Sequence, residues 1–290
     1  MTPAGDDAGN HSAPKLDLSS GCVVITGGGG LLGRALALAF AHRGANVVLA
    51  DLNAAAAEAV AMDVRRHTGV GALAVAVDVT DRADMDSLAS AAQEMFGAVR
   101  VLCNNAGRSI LKPFVDLGRE DWDSVLGVAL QGVLNGITAF LPHLVAQTER
   151  THIVNTASMS GVGRADLRLL NAPYVTAKFA VVGLSEVMGP ALAEHDIGVS
   201  VLCPGFTRLR PEDATSFPMP RAEWYRDNVL PADAVAEETI VGILENRLHI
   251  FPHRRGRDEV IDRHELLMAG FDQADSTSPP VASRAGVTEK

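Results

Sequence analysis

A tyrosine and a lysine four residues apart, Tyr174 and Lys178 in "YVTAK", are the pair in this sequence best suited to moving a proton. One helical turn separates them, so in a helix they share a face, where a lysine cation lowers the pKa of a neighbouring phenol. A phenol tuned in this way can act as a general acid/base near neutral pH. Ser158, in "IVNTASMSG", follows an apolar strand-like run and can hydrogen-bond a substrate oxygen beside that phenol. Taken singly, these residues have plainer readings, as surface helix positions and a cap.

A second constellation lies in "ITGGGGLLGR", where four glycines join a strand-like run to a helical one. A glycine turn there lets the backbone approach a pyrophosphate, while the helix offers unpaired N–H groups and the positive end of its dipole. The candidates for this contact are Gly27, Gly30, Leu31, Leu32 and Gly33, with Gly30 rather than Leu31 supplying the bare backbone. Asp51 ends the second strand-like run, where a carboxylate accepts hydrogen bonds from an adenosine ribose. Its charge repels a 2′-phosphate, and neither position 52 nor the glycine loop holds an Arg or Lys to rescue one. NAD is therefore expected over NADP. Asp78 and Val79, then Asn105, Ala106 and Gly107 of "NNAG", and later Pro204, Gly205 and Thr207, fall at further strand ends, the edge where such sheets bind ligands.

These residues need a scaffold that brings many strand ends together. The runs "CVVIT", "NVVLA", "ALAVAV", "VRVLC", "HIVNTA" and "GVSVLC" are apolar on both faces, as strands covered by helices on both sides must be. Segments such as "GRALALAFAHRG" and "RADMDSLASAAQEMFG" between them carry apolar residues at helical spacing. The alternation predicts an α/β fold with a doubly wound parallel sheet. At 290 residues the chain fits one domain. That domain is expected over 20–273, with disordered tails at 1–19 and 274–290 and a proline-rich substrate lid near 206–229. Within the lid, Arg208, Arg210 and Arg221 either meet a substrate carboxylate or are solvated.

Composition narrows the partners. A net charge of -10 leaves no basic footprint for nucleic acid. The three cysteines, Cys22, Cys103 and Cys203, are too far apart for a metal motif and odd in number, which fits a reducing cytoplasm and neither a metal site nor a disulfide framework. No signal peptide or unbroken apolar membrane span is read from the chain, so a soluble protein is expected.

The ordered set "TGGGGLLG", "NNAG", Ser158, "YVTAK" and "CPG" resembles the short-chain dehydrogenase/reductase family, closely over roughly 20–205. The resemblance implies a Rossmann fold of about seven strands, a nicotinamide cofactor and hydride transfer between that cofactor and an alcohol or ketone. It implies Tyr174 as general acid/base, Lys178 on the nicotinamide ribose, Ser158 on the substrate oxygen, and a homodimer or homotetramer built on helices four and five.

Five departures stand out. The glycines fit TGxxGxxG, the spacing of the family's longer branch, because Leu31 occupies the middle glycine position of the shorter branch. In "VLGVALQGV", Ala129 stands where the family places a tetrad asparagine, so the proton relay is expected to run differently or more slowly. Leu209 replaces the threonine expected after "PG", with Thr207 as a substitute. Pro190, in "MGP", is expected to kink the helix of Tyr174 or end it early. The interval from Ser158 to Tyr174 is also long, which remodels the pocket wall around 163–173. The function expected from these residues is NAD-dependent interconversion of a secondary alcohol and a ketone on an apolar small molecule. A reaction without net redox, such as epimerisation or dehydration, and a non-catalytic NAD sensor are the alternatives.

Overall fold

All six apolar runs, joined by two residues of the short segment "LHIFP", pair side by side in the computed structural model. The structure describes residues 16–164, 170–208, 229–253 and 256–277. Strands β1 (Cys22–Thr26), β2 (Asn46–Asp51), β3 (Ala72–Ala76), β4 (Val99–Asn104), β5 (Thr151–Thr156), β6 (Ile197–Leu202) and β9 (His249–Ile250) form one sheet in the order β3-β2-β1-β4-β5-β6-β9. Every pairing in it is parallel. The order reverses direction between β1 and β4, which opens a crevice beyond the C-terminal ends of those strands. This is the doubly wound Rossmann architecture expected from the alternation.

Helices cover both faces because both faces of the central strands are apolar: β1, β4, β5 and β6 are buried along their whole length. On one side, α1 (Leu31–Ala41), α2 (Ala54–Thr68) and α7 (Ala232–Leu244) pack around Leu36, Phe40, Leu49, Val64 and Ile240. On the other, α3 (Arg82–Phe96), α5 (Gly132–Val145) and α6 (Ala172–Leu192) pack around Met85, Leu88, Phe140, Leu144 and Met188. A third cluster joins Val181, Val182 and Val201 to Met159 and, from the late helix α8 (Arg257–Thr277), Val260. Truncating a fully buried member such as Leu36 to Ala costs about 2–5 kcal/mol in a core of this kind.

Helix α4 (Arg119–Leu126) runs through a five-residue π-turn, Gly127–Gln131, into α5, giving a continuous helix Arg119–Val145. It and Ala172–His195 are long and apolar enough to cross a membrane by length and composition, but both pack on the sheet as its covering helices.

Several boundaries differ from the sequence reading. Leu16 and Leu18, placed in the N-terminal tail, are buried in the first core cluster. Helix α8 continues past 273 to Thr277. Pro190 does not end α6 early: although it has no N–H to give the Glu186 carbonyl, the helix continues past it to Leu192. Of the expected lid, only its ends are described, where Thr207–Arg208 (β7) pairs with Leu230–Pro231 (β8). Residues 209–228, with Leu209, Arg210 and Arg221, lie outside the described residues, as does 165–169 of the expected pocket wall.

Candidate active site

The glycine run does more than turn the chain. Gly27, just past β1, has φ +65°, a conformation that L side chains rarely adopt. A Cβ on Gly28 would lie 2.9 Å from Leu49 Cδ2, and one on Gly29 would lie 2.7 Å from Ala56 Cβ. On Gly33 it would approach the Gly27 carbonyl oxygen to 2.2 Å. Three of these glycines thus let the loop press against β2, α2 and itself. Gly30 is different: it is exposed, it is the N-cap of α1, and its Cβ would meet only Gly27 O, at 3.2 Å. Its bare backbone at a helix N-terminus is where an anion can approach closely. Leu31 and Leu32 are half-buried and pack toward the core.

Thr26 ties this loop to the next strand end. Its hydroxyl oxygen accepts from the N–H groups of Asn105 and Ala106, both at 3.0 Å, and the Asn105 amide donates to Thr26 O, also at 3.0 Å. The "TG" and "NNAG" motifs are therefore one hydrogen-bonded unit across the β1–β4 switch point. Asp51, at the end of β2, accepts from Gly29 N–H at 3.0 Å and Asn53 N–H at 2.9 Å, with the neighbouring Leu52 76% exposed and offering no cation. Asp78 accepts from the N–H and hydroxyl of Thr80 through one oxygen, while the Val79 carbonyl accepts from Asn135. Both residues are held in a turn braced by α5.

Tyr174 and Lys178 do share a face of α6. Lys178 is only 2% exposed; Nζ donates to Thr156 O at 2.5 Å and lies 5.3 Å from the centre of the Tyr174 ring. Ser158 caps a short 3-10 turn, Met159–Gly161, and accepts from Ser160 N–H at 3.1 Å. Its hydroxyl donates to Pro204 O at 3.4 Å and lies near enough to the Tyr174 phenol to lower its pKa. Gly161 lets this turn run against α6, since a Cβ there would be 2.5 Å from Lys178 O. Gly107 faces the same spot, its would-be Cβ 3.9 Å from Lys178 Nζ. The structure thus gathers Ser158, Tyr174, Lys178 and Gly107 in one place, with Pro204 and Gly205 beside them. Thr207 lies two residues on, its hydroxyl donating to Gly205 O at 3.3 Å.

Burial sets the protonation states here. It pushes the Tyr174 phenol up, and the nearby Ser158 hydroxyl only partly offsets this. It pulls Lys178 down to about 8. The expected lowering of the tyrosine by the lysine is therefore outweighed by desolvation, and Tyr174 rests here as a neutral phenol. Cys203, beneath Ser158, is pushed up to about 12, mainly by burial, and is a neutral thiol.

Ala129 lies in the π-turn with no exposed surface. It brings no side-chain amide to this turn. The π-turn itself, a distortion frequent at functional sites, is present without an asparagine.

Some positioning residues were not apparent from local spacing. Thr26 was part of a motif, but its clamp on Asn105 and Ala106 depends on the parallel pairing of β1 and β4. Asn104, Asn155 and Ser185 form a buried chain, Asn104 Nδ2 to Asn155 Oδ1 at 2.9 Å and Asn155 Nδ2 to Ser185 Oγ at 3.0 Å, tying β4 and β5 to α6. The only sequence signal for it was the doubled asparagine of "NNAG". Among the described residues, no group of three or more His, Cys, Asp or Glu is placed to hold a metal ion.

With this geometry in place, likeness to known proteins becomes informative. The short chain dehydrogenase family model matches residues 21–215. The C alpha-dehydrogenase of Sphingobium sp. is 31% identical over 291 residues, covering 94% of this chain and 92% of that protein. The probable oxidoreductase EphD of Mycobacterium tuberculosis is 34% identical over 198 residues, 68% of this chain, and the match spans only 33% of its own length. A short chain dehydrogenase/reductase from Burkholderia phymatum, solved in complex with NAD, superposes with a TM-score of 0.77 at 31% identity, covering 92% of this chain and 99% of that one. This chain belongs to the short-chain dehydrogenase/reductase family of oxidoreductases.

Proposed function

We propose that this protein is an NAD-dependent oxidoreductase that interconverts a secondary alcohol and a ketone on an apolar small molecule, such as a secondary metabolite. The observation that carries this reading is the joining of buried Ser158 and Lys178 with half-buried Tyr174 into one cluster at the edge where the glycine loop opens. The NAD-bound relative from Burkholderia phymatum supports the cofactor. The loop fits it on its own terms: Gly30 leaves open backbone at a helix N-terminus, and Asp51 stands without a neighbouring cation at the second strand end. Gly27, Gly30, Leu31, Leu32 and Gly33 would hold the pyrophosphate, Asp51 the adenosine ribose, and Asp78 and Val79 the adenine side. Asn105, Ala106, Gly107, Tyr174, Lys178, Pro204, Gly205 and Thr207 would hold the nicotinamide half. NAD bound there supplies a hydride acceptor or, when reduced, a hydride donor.

In the oxidising direction, Ser158 holds the substrate hydroxyl and Tyr174 takes its proton. In the reducing direction, the neutral phenol that burial favours is already in the form that donates. Lys178, anchored on Thr156 O, keeps a positive charge near the phenol and favours its ionised form when the proton must leave. Ala129 has no polar side chain, so any proton route past that position uses its backbone or avoids it. We further propose a cytoplasmic homodimer or homotetramer.

The test is a panel of apolar secondary alcohols and ketones followed by NADH absorbance, with NAD and NADP side by side. Turnover with NAD is expected. Preference for NADP would overturn the role of Asp51, and product formed without net NADH would replace the redox reading with epimerisation or dehydration.

A further inference from the structure

His253, in the connection between β9 and α8, binds the strand-end loop that carries Pro204, Gly205 and Thr207. Its Nδ1 accepts from the Gly205 N–H at 2.9 Å, and its Nε2 lies 2.9 Å from the Phe206 carbonyl oxygen. A backbone N–H can only donate and a carbonyl can only accept, so Nδ1 is bare and Nε2 carries the proton. Burial lowers the pKa of this half-buried ring, which favours the neutral form that the two bonds require. The ring also lies close against Gly205: a Cβ there would be 3.0 Å from His253 Cγ and Cδ2. Gly205 is thus a glycine here because His253 covers it.

The neighbouring residues clamp the other side of the site. A Cβ on Gly256 would lie 2.4 Å from Met159 Cε, and Val260 packs in the cluster that holds Met159 and Val162. Met159 N–H in turn donates to Pro204 O at 2.9 Å. His253 therefore rests on the loop that leads to Thr207, and Gly256 and Val260 rest on the turn that follows Ser158.

We propose that His253 is a positioning residue for the nicotinamide end of the dinucleotide site, fixing the backbone of Gly205 and Phe206 so that Thr207 is presented at one place. The proposal rests on the NAD reading above. It separates the two ends of the ligand, because the glycine loop and Asp51 stand on other elements and do not depend on His253. NAD and ADP-ribose, which lacks the nicotinamide, are therefore titrated calorimetrically into the full chain as wild type, His253→Ala and His253→Gln. His253→Ala is expected to weaken NAD about tenfold, the scale of a lost hydrogen bond or two, and to leave ADP-ribose within about twofold. Gln can accept through its carbonyl and donate through its amide, so His253→Gln is expected to recover most of the NAD affinity. Equal weakening of both ligands, no change in either, or a Gln variant no better than Ala overturns the proposal. Failure of the wild type to bind either ligand overturns the NAD reading itself.

Discussion

Lys178 keeps its ammonium in a place where burial works against it. Its pKa falls from 10.5 to about 8, so between those values the unfolded chain binds more protons than the folded one. Stability contributed through this group therefore rises with pH from about 8 to 10.5; below 8 the burial penalty is fully present, on the order of 3 kcal/mol. Lys178→Met removes that penalty and the charge together, although Thr156 O loses its donor. Urea denaturation of both proteins across this range should show the wild type gaining on Lys178→Met as pH rises; parallel curves would mean the lysine is not desolvated. The Tyr174 phenol, pushed up by the same burial, predicts that kcat/KM for alcohol oxidation climbs on the alkaline side of neutrality. Ala129→Asn should shift that profile if the position still lies on a proton route; an unchanged profile would show that solvent exchange avoids it. The local chemistry of Tyr174 and Lys178 was legible from their spacing, but the direction of the tyrosine shift was not. It depends on burial between α6, the turn after Ser158 and the Pro204 loop, which no spacing encodes.

At the scale of elements, the four glycines divide the work of one loop. Gly29→Ala and Gly33→Ala force a methyl group into Ala56 and the Gly27 carbonyl, and each should cost about 1–3 kcal/mol in denaturant unfolding, as overpacking does. Gly30→Val places its side chain on the open face instead. It should leave the unfolding midpoint near that of the wild type and abolish NAD binding by calorimetry. Leu31→Gly should do the reverse, keeping NAD while losing core contacts. Loss of NAD in Leu31→Gly with binding kept in Gly30→Val would restore the other glycine register. The sequence showed that the run was a turn between strand and helix, and six strands were plain as apolar runs. The seventh, β9, is only two residues long and is a strand because Val201 and Leu202 pair with it. Leu16 and Leu18 looked like tail because no periodicity surrounds them; their burial comes from the first core cluster. His253 and Gly205 are 48 residues apart, and only the parallel pairing of β6 and β9 brings them together.

For the whole molecule, two of the helices around the site each expose a large apolar side chain. Helix Arg119–Val145 and helix α6 are the fourth and fifth in chain order when α4 and α5 count as one, and Val145 and Val187 on them are 41% and 70% exposed. An assembly that covers these faces would fix Tyr174 and Lys178 through their own helix. Sedimentation should accordingly show a dimer or tetramer, shifted toward monomer by Val187→Glu; a monomeric wild type would remove the assembly from the account.

The central claim is that the cluster of Ser158, Tyr174 and Lys178 performs proton transfer beside a bound dinucleotide. It is tested most directly by Tyr174→Phe, with NAD affinity measured by calorimetry and turnover by NADH absorbance on whichever alcohol the wild type oxidises. The phenyl ring keeps the packing and loses only the hydroxyl. The account predicts NAD affinity within about twofold of wild type and turnover reduced at least about 100-fold, the scale of a lost general acid/base. Retained turnover in that variant would contradict it.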